Sequence, residues 1–445
     1  LDTRFMQVTV DGSHSFSEAF KLHTLWGWTE SHHRNPIQAT LAADLGCAGT
    51  GSGTATKKLT AASCTNGAGT PDDPYIYDYS NGNMPLLSTG NLDPTSPANW
   101  FLSNVRERQE FAYNSFRTAT IDFEYKPIGE ITISGGFDFR NYGFGTQELR
   151  RATSATSTGE DSSIPNSVRS ADLSTYVKTV TLRGIDVPDG STKTWFVTDL
   201  DKANDVIGLW NQSVFPLYES AGLSNSGTVR ENDIAGWTQA AWDTSIFNMP
   251  FRGDIGVRYI QTQEHTVGYT SLNSTINELK GHLVYHDFLP TVNAVLEPVD
   301  DLLVRFNAGY AMTRPGMTSL LPVGSVSVTG SNGTAKLGNP QLPPMRSKNL
   351  DLSFEWYYDK GSMLSVAGFW KHLDNFLQTQ STSGTWDTNP FGFDASMFVG
   401  ACGGTGSDWS TITNSYCTGL GGENMKWVFS TQKSVRGAPL WGTEI

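Results

Sequence analysis

The hydrophobic pattern of residues 302–315, LLVRFNAGYAMTRP, repeats at every second position. One predicted face carries Leu302, Val304, Phe306, Ala308, Tyr310 and Met312, and the other carries Leu303, Arg305, Asn307, Gly309, Ala311 and Thr313. A period of two predicts a β-strand, because successive side chains of a strand point to opposite faces. The pattern fits a soluble sheet packed on a core, and it also fits a barrel wall with lipid outside and a polar interior.

The same alternation recurs along the chain in pairs that are joined by tight turns. The predicted hairpins pair residues 4–16 with 21–33, 118–125 with 131–139, 234–246 with 251–259, 288–297 with 302–313, and 349–358 with 362–377. The final RGAPLWGTEI begins one more strand. The sequence therefore predicts an all-β, antiparallel fold of about eleven strands.

The connections between these pairs are long and polar, whereas those within the pairs are short. The long connections cover residues 35–107, 149–230, 315–347 and 379–425. Long loops at one end only and tight turns at the other are typical of transmembrane β-barrels of the outer membrane. Aromatic residues near the turns, such as Tyr125 and Trp356, suit a membrane interface. The alternative is a large soluble β-protein such as a propeller or an adhesin, which does not explain the asymmetry of the loops.

Composition and charge narrow the class of partner. The net charge is −13 and charged residues make up 17% of the chain, which argues against nucleic acid, because phosphate binding requires clustered Lys and Arg. No apolar run approaches the roughly 18 residues that a membrane helix requires. The first residues, LDTRFMQVTV, lack the features of a signal peptide, so we expect that export has removed one or that the chain starts within a longer protein.

The four cysteines fall into two close pairs, Cys47 with Cys64 and Cys402 with Cys417, each within a stretch rich in Gly, Ser and Thr. The spacing matches neither a CxxC metal pattern nor a Cys/His dyad. We predict two local disulfides, which imply an oxidising compartment.

Residues 283–378 resemble the barrel of TonB-dependent outer-membrane receptors, especially a proteobacterial subfamily linked to carbohydrate uptake. The residues that carry this resemblance are Thr313-Arg314-Pro315, Gly338-Asn339-Pro340, Asn349-Leu350-Asp351 and Glu355-Trp356-Tyr357. We interpret Pro315 as ending a strand, Arg314 as bonding to rim carbonyls or acidic groups, and Asn339-Pro340 as setting up a turn.

The resemblance implies a multi-pass barrel in the outer membrane of a Gram-negative cell, in contact with lipid and lipopolysaccharide. Members of the family carry a plug domain within twenty-two strands, a segment that binds TonB, and a terminal aromatic residue. None of these is recognisable here, so residues 1–445 are expected to be an internal part of the barrel domain. The TonB complex would then be bound through segments outside this sequence.

The sequence indicates recognition rather than catalysis. It contains no nucleophile elbow and no phosphate loop, so we predict neither an enzyme nor a cofactor. Asp199 and Asp201 have carboxylate spacing but lack the Gly and Glu of a calcium loop, and no metal site is predicted.

Tryptophans in the long loops are candidates for stacking on a sugar ring, although each could instead pack its own loop. The candidate ligand-binding residues are Trp100, Trp195, Trp210, Trp386 and Trp409. The predicted function is energised uptake of a scarce solute, with an oligosaccharide favoured over an anionic ligand. The alternatives are a ferric siderophore or metal-chelate receptor, and an outer-membrane scaffold that docks a surface lipoprotein.

Overall fold

The computed structural model describes residues 2–45, 76–80, 84–90, 92–97, 100–157, 159–168, 171–272, 275–329, 332–391, 393–413, 415–419 and 422–445. The strands in these ranges are β1 (Asp2–Ser15), β2 (Phe20–Leu45), β3 (Ile76–Asp78), β4 (Leu86–Ser88), β5 (Trp100–Ile128), β6 (Ile131–Arg151), β7 (Val177–Thr181), β8 (Thr194–Thr198), β9 (Leu217–Tyr218), β10 (Gly227–Ile246), β11 (Met249–Leu272), β12 (Thr275–Val299), β13 (Leu302–Thr313), β14 (Gly324–Thr329), β15 (Asn332–Leu337), β16 (Met345–Asp359), β17 (Ser362–Leu373), β18 (Asn375–Gly384), β19 (Lys426–Arg436) and β20 (Pro439–Glu444). The helices are α1 (Leu200–Ile207), α2 (Glu219–Gly222), α3 (Met317–Leu320), α4 (Ser396–Ala401) and α5 (Ser415–Gly419), with 3-10 turns at Leu173–Tyr176, Leu223–Asn225, Trp386–Thr388, Trp409–Thr411 and Gly422–Asn424. None of these helices is long and apolar enough to cross a membrane.

The chain divides into two compact units. The first unit comprises Leu1–Arg34, Glu110–Gln147 and Leu223–Ile445, and the second comprises Asn35–Gln109 and Glu148–Gly222. The main sheet follows the order β1-β2-β5-β6-β10-β11-β12-β13-β16-β17-β20, with β9 beside β6. The strand pairs β1–β2, β6–β10, β10–β11, β11–β12, β12–β13, β13–β16, β16–β17 and β17–β20 are antiparallel, which confirms the predicted fold class.

The strands of the first unit keep one apolar and one polar face. Rows of apolar side chains run across neighbouring strands, as where Phe306 lies opposite both Ala294 and Leu352. Phe306, Leu352 and Phe354 all remain exposed. The turns are short, and Phe247 and Asn248 close the β10–β11 hairpin with φ of 56° and 66°. Positive φ at both central residues is the geometry of tight hairpins.

Two of the connections predicted to be long polar loops, residues 315–347 and 379–425, contribute to a second sheet in the first unit, together with β19. This sheet has the order β14-β15-β19-β18, and the β15–β19 pair is parallel. Its core includes buried aromatic side chains from strands and short helices, namely Trp386, Phe391, Phe398, Trp427 and Phe429. The region is therefore a packed structure, not the loop that the sequence predicted.

The predicted strand over residues 362–377 is wrong in one respect, since it breaks at Asp374. β17 pairs with β20 up to His372↔Pro439, whereas β18 pairs with β19 from Asn375↔Arg436. At this corner a Cβ on Gly437 would lie 1.9 Å from the backbone oxygen of Leu373. Only glycine permits so close an approach, which allows the two-stranded ribbon to pass from one sheet to the other.

The second unit has its own small hairpins and core. β3 pairs with β4, and β7 pairs with β8. The core is formed by Val105, Val168, Leu173, Tyr176, Ala203, Ile207, Leu209 and Phe215. Helix α1 begins at the N-cap Asp199, whose side chain accepts a hydrogen bond from the backbone N–H of Lys202, and ends at Gly208 in the left-handed region.

Candidate functional site

The polar face of the first-unit strands carries a ladder of amide and carboxylate groups. Asn293 lies opposite Asp254 on one side and Asn307 on the other. The Nδ2 group of Asn293 donates to Asp254 Oδ1 over 3.1 Å, and Asn307 Nδ2 donates to Asn293 Oδ1 over 2.5 Å. Because neighbouring residues of a strand alternate in face, this ladder lies opposite the row that contains Phe306.

Arg314, which follows β13, connects strands that are distant in the sequence. Its Nε lies 3.2 Å from Glu231 Oε1, and its Nη2 lies 2.7 Å from Asp233 Oδ1. Nη2 also donates to Thr262 Oγ1 over 3.1 Å, and the Thr262 hydroxyl donates to Asp233 over 2.6 Å. Both carboxylates are buried, so this arginine provides the positive charge that they need. The prediction that Arg314 binds acidic groups in a structural role agrees with this geometry.

The other motif residues have local structural roles. The Asn339 Oδ1 atom accepts a hydrogen bond from the backbone N–H of Gln341 over 2.9 Å, and its Nδ2 group donates to the carbonyl of Gln432 over 3.1 Å. The first bond is that of an Asx turn, as predicted for Asn339-Pro340. The second fixes this turn to strand β19. β13 ends two residues before Pro315.

The five predicted ligand-binding tryptophans occupy different surroundings. Trp386 has no exposed surface and contacts Trp427 and Phe398 at centroid distances of 4.8 and 6.1 Å. Trp409 is partly buried against the same core and lies 5.2 Å from Phe398. In this arrangement Trp386 presents no face to a ligand.

The remaining three tryptophans belong to the second unit. Trp100 and Trp210 are partly buried against its core, and Trp100 meets Phe196 edge-on. Trp195 precedes Phe196 in β8. Because Phe196 packs against the core, strand alternation turns Trp195 to the opposite face. Of the three, Trp195 is the one best placed for stacking.

Two exposed tyrosines in the second unit were not singled out from the sequence. Tyr77 and Tyr79 are 54% and 60% exposed and meet edge-on at 4.7 Å. Thr192 ties their β3–β4 hairpin to the connection before β8, because its backbone N–H donates to the carbonyl of Leu87 over 2.7 Å. The only sequence signal for these tyrosines was the short aromatic run PYIYDY.

A cleft of about 450 Å³ lies on the second unit. Its lining is mainly polar and consists of Thr40, Ala42, Asp44, Ser103, Asn104 and Arg106. Hydroxyl, amide and charged groups of this kind can hydrogen-bond a polar solute. Nearby, Arg108 donates to both oxygens of Glu160, over 2.8 and 2.7 Å. These bonds hold the pKa of Glu160 below its ordinary value.

A disulfide joins Cys402 to Cys417 in the second sheet's core, as predicted. The predicted Cys47–Cys64 pair lies outside the described residues. Asp199, considered above as a calcium ligand, instead caps helix α1. Within the ranges that the structure describes, no group of three or more His, Cys, Asp and Glu is arranged to hold a metal ion.

Comparison with known proteins assigns the family. The TonB dependent receptor-like, beta-barrel family profile matches residues 62–420. Similar solved structures include the closed form of the ferric-catecholate import receptor Fiu from E. coli K12, with 10% identity, a TM-score of 0.40, and coverage of 85% of this chain and 42% of that one. The unliganded ferric citrate transporter FecA has 9% identity, a TM-score of 0.36, and coverage of 84% of this chain and 35% of that one. Copper transporter OprC has 8% identity, a TM-score of 0.37, and coverage of 99% of this chain and 50% of that one.

The chain spans half or less of the length of these three structures. The search of curated proteins finds no match. Because the family profile covers most of the sequence, the chain belongs to the TonB-dependent receptor β-barrel family.

Proposed function

We propose that this chain forms part of the wall of an outer-membrane receptor that takes up a scarce polar solute with energy delivered through TonB. The observation that carries the proposal is the segregation of faces in the first unit, where exposed apolar rows lie opposite a hydrogen-bonded polar ladder. Lipid is the surrounding that makes such apolar exposure favourable, while the polar face borders the interior.

The extent of the apolar rows supports a membrane position. On β16 the outward residues are Trp356, Phe354, Leu352 and Leu350, and the next one is Lys348. Lys348 and Trp356 are eight positions apart, which corresponds to about 27 Å along a strand. Because barrel strands are tilted by about 35–45°, this length spans about 20 Å of bilayer height, which approaches the apolar band of about 25 Å.

We favour a neutral polar solute, such as an oligosaccharide, over a strongly anionic one. The chain has a net charge of −13. Several second-unit cations already face carboxylates, since Arg108 pairs with Glu160, Arg151 with Asp161, and Lys178 with Asp199. An anionic chelate would require arginines and lysines available to bind it.

Aromatic side chains of the second unit supply the stacking part of this proposal. Trp195 is turned away from the core, and Tyr77 and Tyr79 are exposed. We also retain Trp100 and Trp210 of this unit as ligand-contacting residues, and Trp409 of the first unit as a separate candidate, since each is only partly buried. Trp386 lies in the aromatic core beside the β14-β15-β19-β18 sheet, which we call the loop core. Its proposed role in ligand binding would require this loop core to open.

Transport and recognition are tested separately. Cells with the full receptor should accumulate a labelled oligosaccharide only when TonB is present, and purified receptor should bind it without TonB. Uptake that persists without TonB contradicts active transport. Binding of a ferric chelate but no glycan would show that the protein is a metal-chelate receptor. Binding of a lipoprotein without uptake of any solute would show that it is an outer-membrane scaffold.

Quenching of tryptophan fluorescence on binding identifies the loop residues that are involved. Trp195→Phe should weaken glycan binding by about tenfold, because the larger indole face is lost from the stacking contact. Trp356→Phe, on the apolar face, is the matched control and should leave binding unchanged. Equal binding by both variants would remove Trp195 from the site.

A further inference from the structure

A charged row follows the apolar rows on the outward face of β13, β16 and β17. Tyr310 lies opposite Lys348, and Lys348 lies opposite His372. The preceding row on these strands is Ala308, Leu350 and Trp370, and it continues to Trp441 on β20. The first charged residues beyond the apolar rows on this face are therefore side by side on adjacent strands.

The contacts of this row orient Lys348 and His372 without occupying all their N–H donors. Lys348 Nζ lies 5.7 Å from the centre of the Tyr310 ring, a cation–π distance. Asp374 Oδ1 lies 3.6 Å from Lys348 Nζ and 3.7 Å from His372 Nε2. Both distances exceed that of a hydrogen bond, so the carboxylate attracts the two groups while leaving N–H donors for another acceptor.

Aromatic and aliphatic side chains border these donors toward the apolar rows. His372 stacks on Trp370 with a centroid distance of 6.0 Å and an interplanar angle of 12°. Trp370, Leu350 and Trp441 are all exposed. Amphipathic rings beside a lysine are typical of a membrane interface, where the ring contacts acyl chains and the cation reaches the headgroups.

We propose that Lys348 and His372 bind the phosphate of an anionic outer-membrane lipid whose acyl chains lie on Leu350, Trp370 and Trp441. This inference rests on the proposed membrane position of the apolar rows. Lys348 supplies a point charge and up to three donors. His372 supplies a ring N–H donor. The phosphate oxygens accept hydrogen bonds from the nitrogen donors of Lys348 and His372. The contacts of these residues with the Tyr310 and Trp370 rings can therefore remain in place.

Lipid retention by the full receptor tests the site. The receptor is inserted into vesicles of an uncharged glycolipid, with or without a minor fraction of phosphorylated lipid A, then extracted gently and weighed by native mass spectrometry. Wild type should retain lipid A. The double variant Lys348→Gln/His372→Gln should retain it about tenfold more weakly, since each interfacial cation contributes to the binding of anionic lipid.

Lys371→Gln is the matched control, because Lys371 is adjacent to His372 and strand alternation directs it to the opposite face. Equal retention by wild type and the double variant would overturn the site, and so would an equal loss in the control. Millimolar inorganic phosphate should not release the lipid; if it does, the site binds free phosphate and the lipid assignment is wrong.

The two proposals fail in different ways. If wild-type receptor does not insert into the glycolipid vesicles, the membrane position of the apolar rows is wrong. If it inserts and the double variant inserts equally well with unchanged lipid retention, only the headgroup site is wrong.

Discussion

Two regions of the first unit use the same apolar residue types in opposite surroundings. On the outward face of the long strands, Phe137 is 72% exposed and Phe288 is 63% exposed. In the core beside the β14-β15-β19-β18 sheet, Trp386 and Phe398 have no exposed surface. Exposure of apolar area to water costs about 25 cal/mol per Å². The strands therefore leave apolar side chains that the proposed lipid contact would cover, whereas the loop core buries its apolar residues within the chain.

The largest expected effect comes from emptying the loop core. Trp386→Ala should destabilise that core by about 3–5 kcal/mol, because it removes a fully buried ring and leaves a cavity. Hydrogen exchange of the β19 amides in lipid-embedded receptor measures this loss. Trp356→Ala is the matched control, since Trp356 is 48% exposed on the lipid-facing side.

The control should leave β19 exchange unchanged and should alter barrel stability only slightly. If Trp356→Ala accelerates exchange of the β19 amides as strongly as Trp386→Ala does, the stability of the loop core is not independent of the outward face of the main sheet.

The outward face can be tested one residue at a time on β13. A charge at Phe306 should cost about 2–4 kcal/mol in lipid, whereas the same charge at Asn307 should cost far less. Asn307 belongs to the polar ladder, where it donates to Asn293. The measurement is the folding of Phe306→Arg and Asn307→Arg into lipid vesicles. Equal tolerance of the two arginines would mean that this strand does not border lipid.

The sequence predicted the long strands well because an apolar face on one side and a polar face on the other impose a strict alternation. The predicted hairpin of residues 302–313 with 288–297 is confirmed by Ala294↔Phe306. Short turns also leave local signals. Residues 360 and 361, for example, lie between β16 and β17, and Gly361 has a positive φ.

The second sheet could not be predicted in the same way. Its parallel β15–β19 pair places Gly333 opposite Trp427, which is far away in the sequence. The alternation of apolar and polar residues along one strand carries no signal for such a distant contact. Residues 315–347 and 379–425 were therefore predicted as polar loops. For the same reason the sequence could not distinguish the fully buried Trp386 from Trp195, which is turned away from its core.

The Cys402–Cys417 disulfide tests the same comparison, since it lies in the loop core and outside the main sheet. The double variant Cys402→Ala/Cys417→Ala should lose up to about 3 kcal/mol of local stability, a model-dependent value for a closed loop of this size. Protease digestion of residues 379–425 should accelerate, while exchange of the β11 amides stays unchanged. Unchanged digestion would mean that the aromatic core alone holds this region.

The smallest effect is expected in the second unit, where Arg108 and Glu160 form a bidentate pair whose side chains are 30% and 14% exposed. The backbone N–H groups of Asp161 and Val105 donate nearby, to Arg151 and Ser162, and report local opening. Arg108→Gln should lower the free energy of that opening by about 1 kcal/mol, because the charge-assisted bonds are lost from a partly solvated site. Arg108→Lys keeps the charge without the two-pronged geometry and should give an intermediate loss.

The contribution of the Arg108–Glu160 pair to local stability should depend on pH with a definite sign. The Arg108 hydrogen bonds lower the pKa of Glu160 from 4.5 in the folded protein. The stabilisation is therefore complete above the ordinary pKa and is lost as the pH falls through the depressed one. Protection of the Asp161 and Val105 amides, corrected for intrinsic exchange, should be constant from neutral pH to about pH 5 and should fall in more acidic solution. In Arg108→Gln this acid-dependent loss should be much smaller. An identical pH profile in wild type and Arg108→Gln would show that the pair does not hold this segment in place.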